Sequence, residues 1–277
     1  MNMLNSNEVD TTISWDVEPS GVAWLTLGRP EAGNAIAPPQ RNRIIELMAV
    51  AGNDPSIRCV VITGSGTRHF STGGDLRHPD AVQKEGDPPR TVGWVRQLIS
   101  SGVQRMTAAV LDCPKPVIAA VNGTAAGIGC HLAFACDLIV CSEEARFIEL
   151  FIRRGLVADA GGTYLLSRTL GPHQVKELLF LGDDLSAADA HRLGLVNRLV
   201  PHAEVLPAAR ALAERLAASP TIAIGVMKGL ANNVYGQTRD AAFRDEANAC
   251  EVNSRSEHFG EGTRAWVERR DPVWRGR

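Results

Sequence analysis

The stretch RRGLVADAGGTYLL, Arg153 to Leu166, holds a single acid, Asp159, with Val157 and Ala158 before it and Ala160 and two glycines after it. A carboxylate placed in an apolar pocket loses hydration, which disfavours its charged form and moves its proton affinity toward the range useful near neutral pH. The same side chain could instead cap a helix starting near Gly161, since Asp is a common N-cap. Two further stretches, VVITGSGTRHFSTGGDL and VIAAVNGTAAGIGCHLA, run from a strand into a glycine-rich turn. Glycine lets the backbone approach a ligand at positive φ, and an N–H at the start of a following helix binds developing negative charge. Two such turns on adjacent strands could converge on one carbonyl oxygen as an oxyanion hole, or each could do no more than turn the chain.

The elements that must position these residues follow from periodicity. TISWDV and VAWLTL flank the turn residues of EPSG and read as a hairpin. QRNRIIELMAVAG is helical in pattern, and RCVVIT, KPVIAAV and DLIVCS read as buried strands, because short apolar runs bounded by polar residues fit a covered sheet. GCHLAFAC reads as a short helix behind its glycine turn. Apolar residues at 92, 95, 98, 99, 103, 106 and 110 predict one helix, preceded by a charged, proline-containing surface loop over 79–89. Strand and helix alternate, so the core is expected to be α/β. Beyond Gly161 helical segments follow one another with LVNRLV as the lone strand, and the change of composition near 200 divides an α/β core, 1–200, from a helical region, 201–277.

Composition narrows the partners. Lys and Arg number 29 against 31 acids, with no long basic run, so the footprint of a nucleic-acid or anionic-membrane binder is missing. No apolar run reaches the roughly 18 residues of a membrane span, and the polar N-terminus has no signal-peptide pattern. The six cysteines show no CxxC pairing, which favours a reducing, cytoplasmic setting. His69, His78, His173, His191, His202 and His258 are scattered without ligand spacing, so no metal is expected. GSGTRH has His69 where a dinucleotide fingerprint needs its third glycine, and neither a P-loop nor a G-x-S-x-G elbow is present.

Five blocks in order, VAWLTLGRPEAGNAI, FSTGGDL, KPVIAAVNGTAAGIGCHLAFACDLIVCSEEARF, AGGTYLLSRTLG and EHFGEGTRAWVERRDPVWRGR, resemble the crotonase (enoyl-CoA hydratase/isomerase) superfamily over nearly the whole chain. The resemblance implies a spiral of ββα units, a helical C-terminal region that mediates trimers, commonly paired into hexamers, and a coenzyme A thioester substrate with no separate cofactor. It implies oxyanion-hole amides at Gly74 and Ile128. It points to Arg29, Ala32, Ser71, Thr72, Gly73, Asp75, Leu76, Gly127 and Phe151 for substrate and CoA.

The two glutamates of typical hydratases fall on His131 and Phe151. Phe151 transfers no proton, which puts two-glutamate hydration in doubt. Glu149, two residues earlier, reads as a surface carboxylate paired with Arg153 four residues on. GLVADAGGT matches a branch of isomerases in which the run G-L-x-x-D carries the acid/base, which would be Asp159. His131 reads either as a second acid/base or as a partly buried histidine bonded to Asp159. The expectation is an enoyl-CoA isomerase, with a hydratase using His131 and Asp159, or a non-catalytic acyl-CoA binder, as alternatives.

Overall fold

The computed structural model describes residues 12–78, 89 and 91–275, so the loop expected over 79–89 lies outside the described residues except for Pro89. A hairpin, β1 (Ile13–Val17) and β2 (Val22–Leu27), precedes α1 (Pro38–Asn53), which starts on proline, where a missing N–H costs nothing. Then come β3 (Cys59–Gly64), β4 (His69–Ser71), α2 (Trp94–Ser101) and α3 (Val103–Leu111). They are followed by β5 (Val117–Val121), β6 (Thr124–Ala126), α4 (Ile128–Ala135), β7 (Leu138–Ser142), β8 (Arg146–Ile148) and α5 (Gly162–Ser167). The chain continues through α6 (Pro172–Leu181), β9 (Asp184–Ser186), α7 (Ala187–Arg192) and β10 (Arg198–Val200). It ends in α8 (Val205–Ala217), α9 (Thr221–Asn233), α10 (Arg239–Asn253) and α11 (Glu257–Glu268).

Successive ββα units share their strands between two sheets, the spiral that the sequence resemblance implies. First strands pair with first strands and second with second, giving sheet orders β1-β2-β3-β5-β7-β10 and β4-β6-β8-β9, parallel except for β1 on β2 and β9 on β8. The corners are tied to one another: Asn122, between β5 and β6, donates to the carbonyls of Gly64, the last residue of β3, and of Gly66 just beyond it, each at 2.8 Å. The next residue, Gly123, leaves 2.4 Å between a Cβ and the Arg68 carbonyl oxygen, so only glycine fits where the units stack.

Alternation along the strands divides the core. Val60, Ile62, Val117, Ala119 and Val121 face α1, α3 and α4, while Cys59, Val61, Ile118, Ala120 and Val140 face Val205, Ala209, Leu212 and Ala213 of α8. The short strands β4, β6, β8 and β9 escape sequence reading because three residues carry no measurable period. The helix predicted across 92–110 is two helices: Gly102 breaks it at φ −105°, ψ −102°, where a Cβ would lie 2.4 Å from the Leu98 carbonyl oxygen and 2.6 Å from the Arg41 guanidinium. The apolar spacing runs through the break, which is why periodicity alone reads it as continuous.

Candidate active site

The two glycine turns meet. Gly73 (φ 96°) and Gly127 (φ 52°) both hold left-handed backbone, and a Cβ on Gly73 would sit 2.7 Å from the Ala126 carbonyl oxygen and 3.5 Å from the Ile128 nitrogen. Ile36 clamps the first turn from behind: its N–H donates to Gly73 O at 2.8 Å, and its carbonyl accepts from Asp75 N at 3.1 Å. The Gly74 amide between them has no backbone acceptor among the described residues, and Gly74 is exposed. Ile128 is the first residue of α4, so its N–H has no intrahelical acceptor. Two neighbouring, fixed N–H donors without partners can hold the negative oxygen of a thioester enolate.

Around this pair, much of the expected CoA set is committed to the protein itself. Arg29 bonds Asp75 Oδ2 at 2.8 Å and the Ala35 carbonyl at 3.2 Å. Burial works to raise the Asp75 carboxyl, but hydrogen bonds from Arg29 and the Arg77 amide, together with the Arg29 charge, hold it below the ordinary aspartate range. The Ser71 hydroxyl is buried and donates to the Asn34 carbonyl at 2.9 Å. Ala32 and Thr72 are half-buried and Leu76 is exposed, so these three remain open to a ligand.

Behind Ile128 lies a buried polar cluster. His131, on α4, has no exposed surface; its ring Nε2, with the N–H as donor, lies 3.0 Å from Glu149 Oε2. Phe151 stacks on the imidazole at 5.3 Å between centroids and 12° between planes, and its Cζ lies 3.5 Å from where a Cβ of Gly127 would be. Glu149 is therefore an inward residue, 5% exposed, and Arg153 pairs with Asp184 instead. The surface pairing read from the four-residue spacing fails because no single helix joins the two residues: Glu149 follows β8 with its side chain inward, two residues after buried Phe147, and the chain then turns at Leu150 and Phe151 into a 3-10 helix, Ile152–Arg154, that carries Arg153 to Asp184.

Asp159 stands at the edge of this cluster, half-buried, with Oδ1 enclosed and unbonded among the described residues. Burial pushes its carboxyl above the ordinary aspartate range, partly offset by His131 and reinforced by Glu149. It caps no helix: α5 has Gly161 as its N-cap with no side-chain bond, and Asp159 lends only its backbone carbonyl to the Gly162 amide, at 3.1 Å. The partner of His131 is Glu149, so the expected His131 to Asp159 bond is not formed. The turn is tight, with positive φ at Ala160 (50°) and Gly161 (81°), and Thr107 of α3 secures it by donating to the Ala160 carbonyl at 2.8 Å. Among the described residues no cluster of His, Cys, Asp and Glu is arranged to hold a metal.

The family model for enoyl-CoA hydratase/isomerase matches residues 17–277. The chain belongs to the enoyl-CoA hydratase/isomerase family. It is similar to a 1,2-epoxyphenylacetyl-CoA isomerase of Escherichia coli, 34% identical over 93% of this chain and 96% of the relative. It is also similar to a carnitinyl-CoA dehydratase of Salmonella enteritidis, 36% identical over 91% and 94%. Among solved structures, an enoyl-CoA hydratase of a Polaromonas species superposes with TM-score 0.86 at 34% identity, covering 95% of this chain and 99% of that one. An enoyl-CoA hydratase of Bacillus anthracis gives 0.88 at 28% identity, covering 96% and 100%. The protein is thus a crotonase-type acyl-CoA enzyme.

Within that family frame, Glu149 is the site residue that sequence reasoning set aside. Its signal was present as the step of two from Phe147, the buried aromatic of β8.

Proposed function

We propose that this family member shifts a carbon–carbon double bond of an enoyl-CoA, with Asp159 as the acid/base and the Gly74 and Ile128 amides as oxyanion donors. Asp159 removes a proton at C2, the dienolate oxygen rests on the two N–H groups, and the same carboxyl returns the proton at C4. The reading is carried by the half-buried Asp159 carboxyl, unbonded at Oδ1 and raised above its ordinary range by burial, which suits a group that must both take and give a proton. Hydration needs a second group to hold water. Phe151 offers none, and the His131 Nε2 is engaged by Glu149 beneath it. The isomerase name of the Escherichia coli relative supports the same side, while the dehydratase name of the Salmonella relative keeps water addition by His131 and Asp159 as the second reading.

Asp159→Asn should lower turnover by about 10²–10⁴-fold while acyl-CoA binding stays near the parent value. Incubating 2-enoyl-CoA and 3-enoyl-CoA with the enzyme and separating the products distinguishes the chemistries: a shifted double bond supports isomerisation, and a 3-hydroxyacyl product overturns it. Unchanged turnover in Asp159→Asn removes Asp159 from the mechanism. Ala32, Thr72 and Leu76 are proposed to meet the CoA moiety, with Arg29 and Asp75 bracing the turn that presents Gly74. We further propose that the helical region 201–277 forms a trimer interface, supported by exposed Phe243, Val252, Trp266 and Val267 on α10 and α11. A cytoplasmic setting fits the five buried free cysteines and the lack, among the described residues, of any helix long and apolar enough to cross a membrane.

A further inference from the structure

The chemistry assigned to Asp159 leaves the buried pair beneath it without a task. His131 is wholly enclosed, with Phe151 on its face, Glu149 at Nε2, and the backbone of Gly162 at the same edge, where a Cβ would come within 2.1 Å of Nε2. The ring presents no exposed atom in this arrangement. A buried histidine–carboxylate pair is a poor way to fill a core, since apolar side chains of similar volume serve packing at least as well. Two of its atoms, His131 Nδ1 and Glu149 Oε1, are buried without a bond among the described residues, which adds to the cost.

We propose that Glu149 and His131 are positioning residues for Asp159: the buried carboxylate orients the imidazole, and the imidazole braces the Asp159–Gly162 turn and sets the charge that the Asp159 carboxyl faces. The inference rests on the reading of Asp159 as the acid/base. The geometry is that of a stack. Gly162 is bonded to the Asp159 carbonyl and lies directly against the imidazole edge, so a rotation of the ring displaces the turn that carries the carboxyl. Among the described residues, the charged groups acting on Asp159 are His131 from α4 and Glu149 from the chain after β8. Helix α3, packed on Ala160 and Gly161, presents the Thr107 hydroxyl to this turn and keeps Arg105 exposed. His131 draws the Asp159 carboxyl down and Glu149 pushes it up, so removing each should move its titration in opposite directions.

The test uses the full-length enzyme with Glu149→Gln and His131→Gln, reading kcat/KM against pH and the Asp159 titration by NMR of carboxyl-labelled aspartate, assigned by its loss in Asp159→Asn. Glu149→Gln is expected to move the acid limb and the Asp159 titration down, and His131→Gln to move both up, each by about half a pH unit or more. Turnover should fall about tenfold with KM held within about twofold, the pattern of a misaligned base with intact binding. Titrations that coincide with the parent, or that shift in the same direction, overturn the inference. Should His131→Gln fail to fold, Glu149→Gln decides alone: lower turnover with an unmoved titration means packing support only. Full turnover in Asp159→Asn would instead overturn the acid/base reading, and the NMR titration still reports whether the pair governs that carboxyl.

Discussion

A carboxyl whose proton affinity is raised by burial works against the folded state whenever it is ionised. For Asp159 the folded pKa lies above the unfolded one, so the native state binds the proton more tightly. Stability therefore falls as pH rises from the unfolded value, near 3.9, through the folded one, and the penalty is complete above it. Asp159→Asn should accordingly melt about 1–3 °C higher than the parent at pH 8, with the gap closing toward pH 4, by calorimetry at both pH values. A gap that widens toward low pH would contradict the assigned direction. Asp159 was legible in the sequence as the one acid of an apolar run. Glu149 was not, because the four-residue spacing to Arg153 holds only within one continuous helix, and here a strand end, a turn and a 3-10 helix lie between Phe147 and Arg154.

Elements place these residues through contacts that have no side-chain signature. Helices α4 and α5 meet where Gly162 lies on His131, and the glycine is required by the ring above it, with 2.1 Å left for a Cβ. Gly162→Ala should cost about 1–3 kcal/mol in urea unfolding and displace the Asp159 turn, so that turnover falls as well. Stability equal to the parent would show that the ring moves aside freely. The sequence reading found the glycine turns, the buried strands and α4, because each carries a local signal. It joined α2 to α3, because Gly102 breaks the helix without breaking the apolar period, and it passed over β4, β6, β8 and β9, each only three residues long.

At the scale of the molecule, a buried cation helps tie the C-terminal helices to the core. Lys228 of α9 lies 2.8 Å from Asp137 Oδ2 and donates to the carbonyls of Val110 at 3.0 Å and Lys115 at 3.3 Å. Burial raises the Asp137 carboxyl, and Lys228 opposes that rise. Lys228→Met strands this carboxylate and should destabilise the fold by about 2–4 kcal/mol near neutral pH. The loss should shrink at acid pH, where Asp137 takes up a proton instead, and denaturant titrations at pH 7 and pH 4.5 check it. An equal loss at both would mean that Lys228 acts by packing alone. Arg58 adds a second tie, reaching Thr221, the Ser219 carbonyl at 2.9 Å and the Trp274 carbonyl at 3.2 Å.

The sequence by itself determined the α/β order, the family resemblance, the glycine turns and the lone acid, because composition, period and short motifs are properties of neighbours along the chain. Which amide lies beside which, that His131 binds Glu149 rather than Asp159, and that Asp159 caps nothing were decided by tertiary structure alone. The spiral brings residues 73, 128, 149 and 162 together from three successive ββα units, and no local pattern records how those units stack.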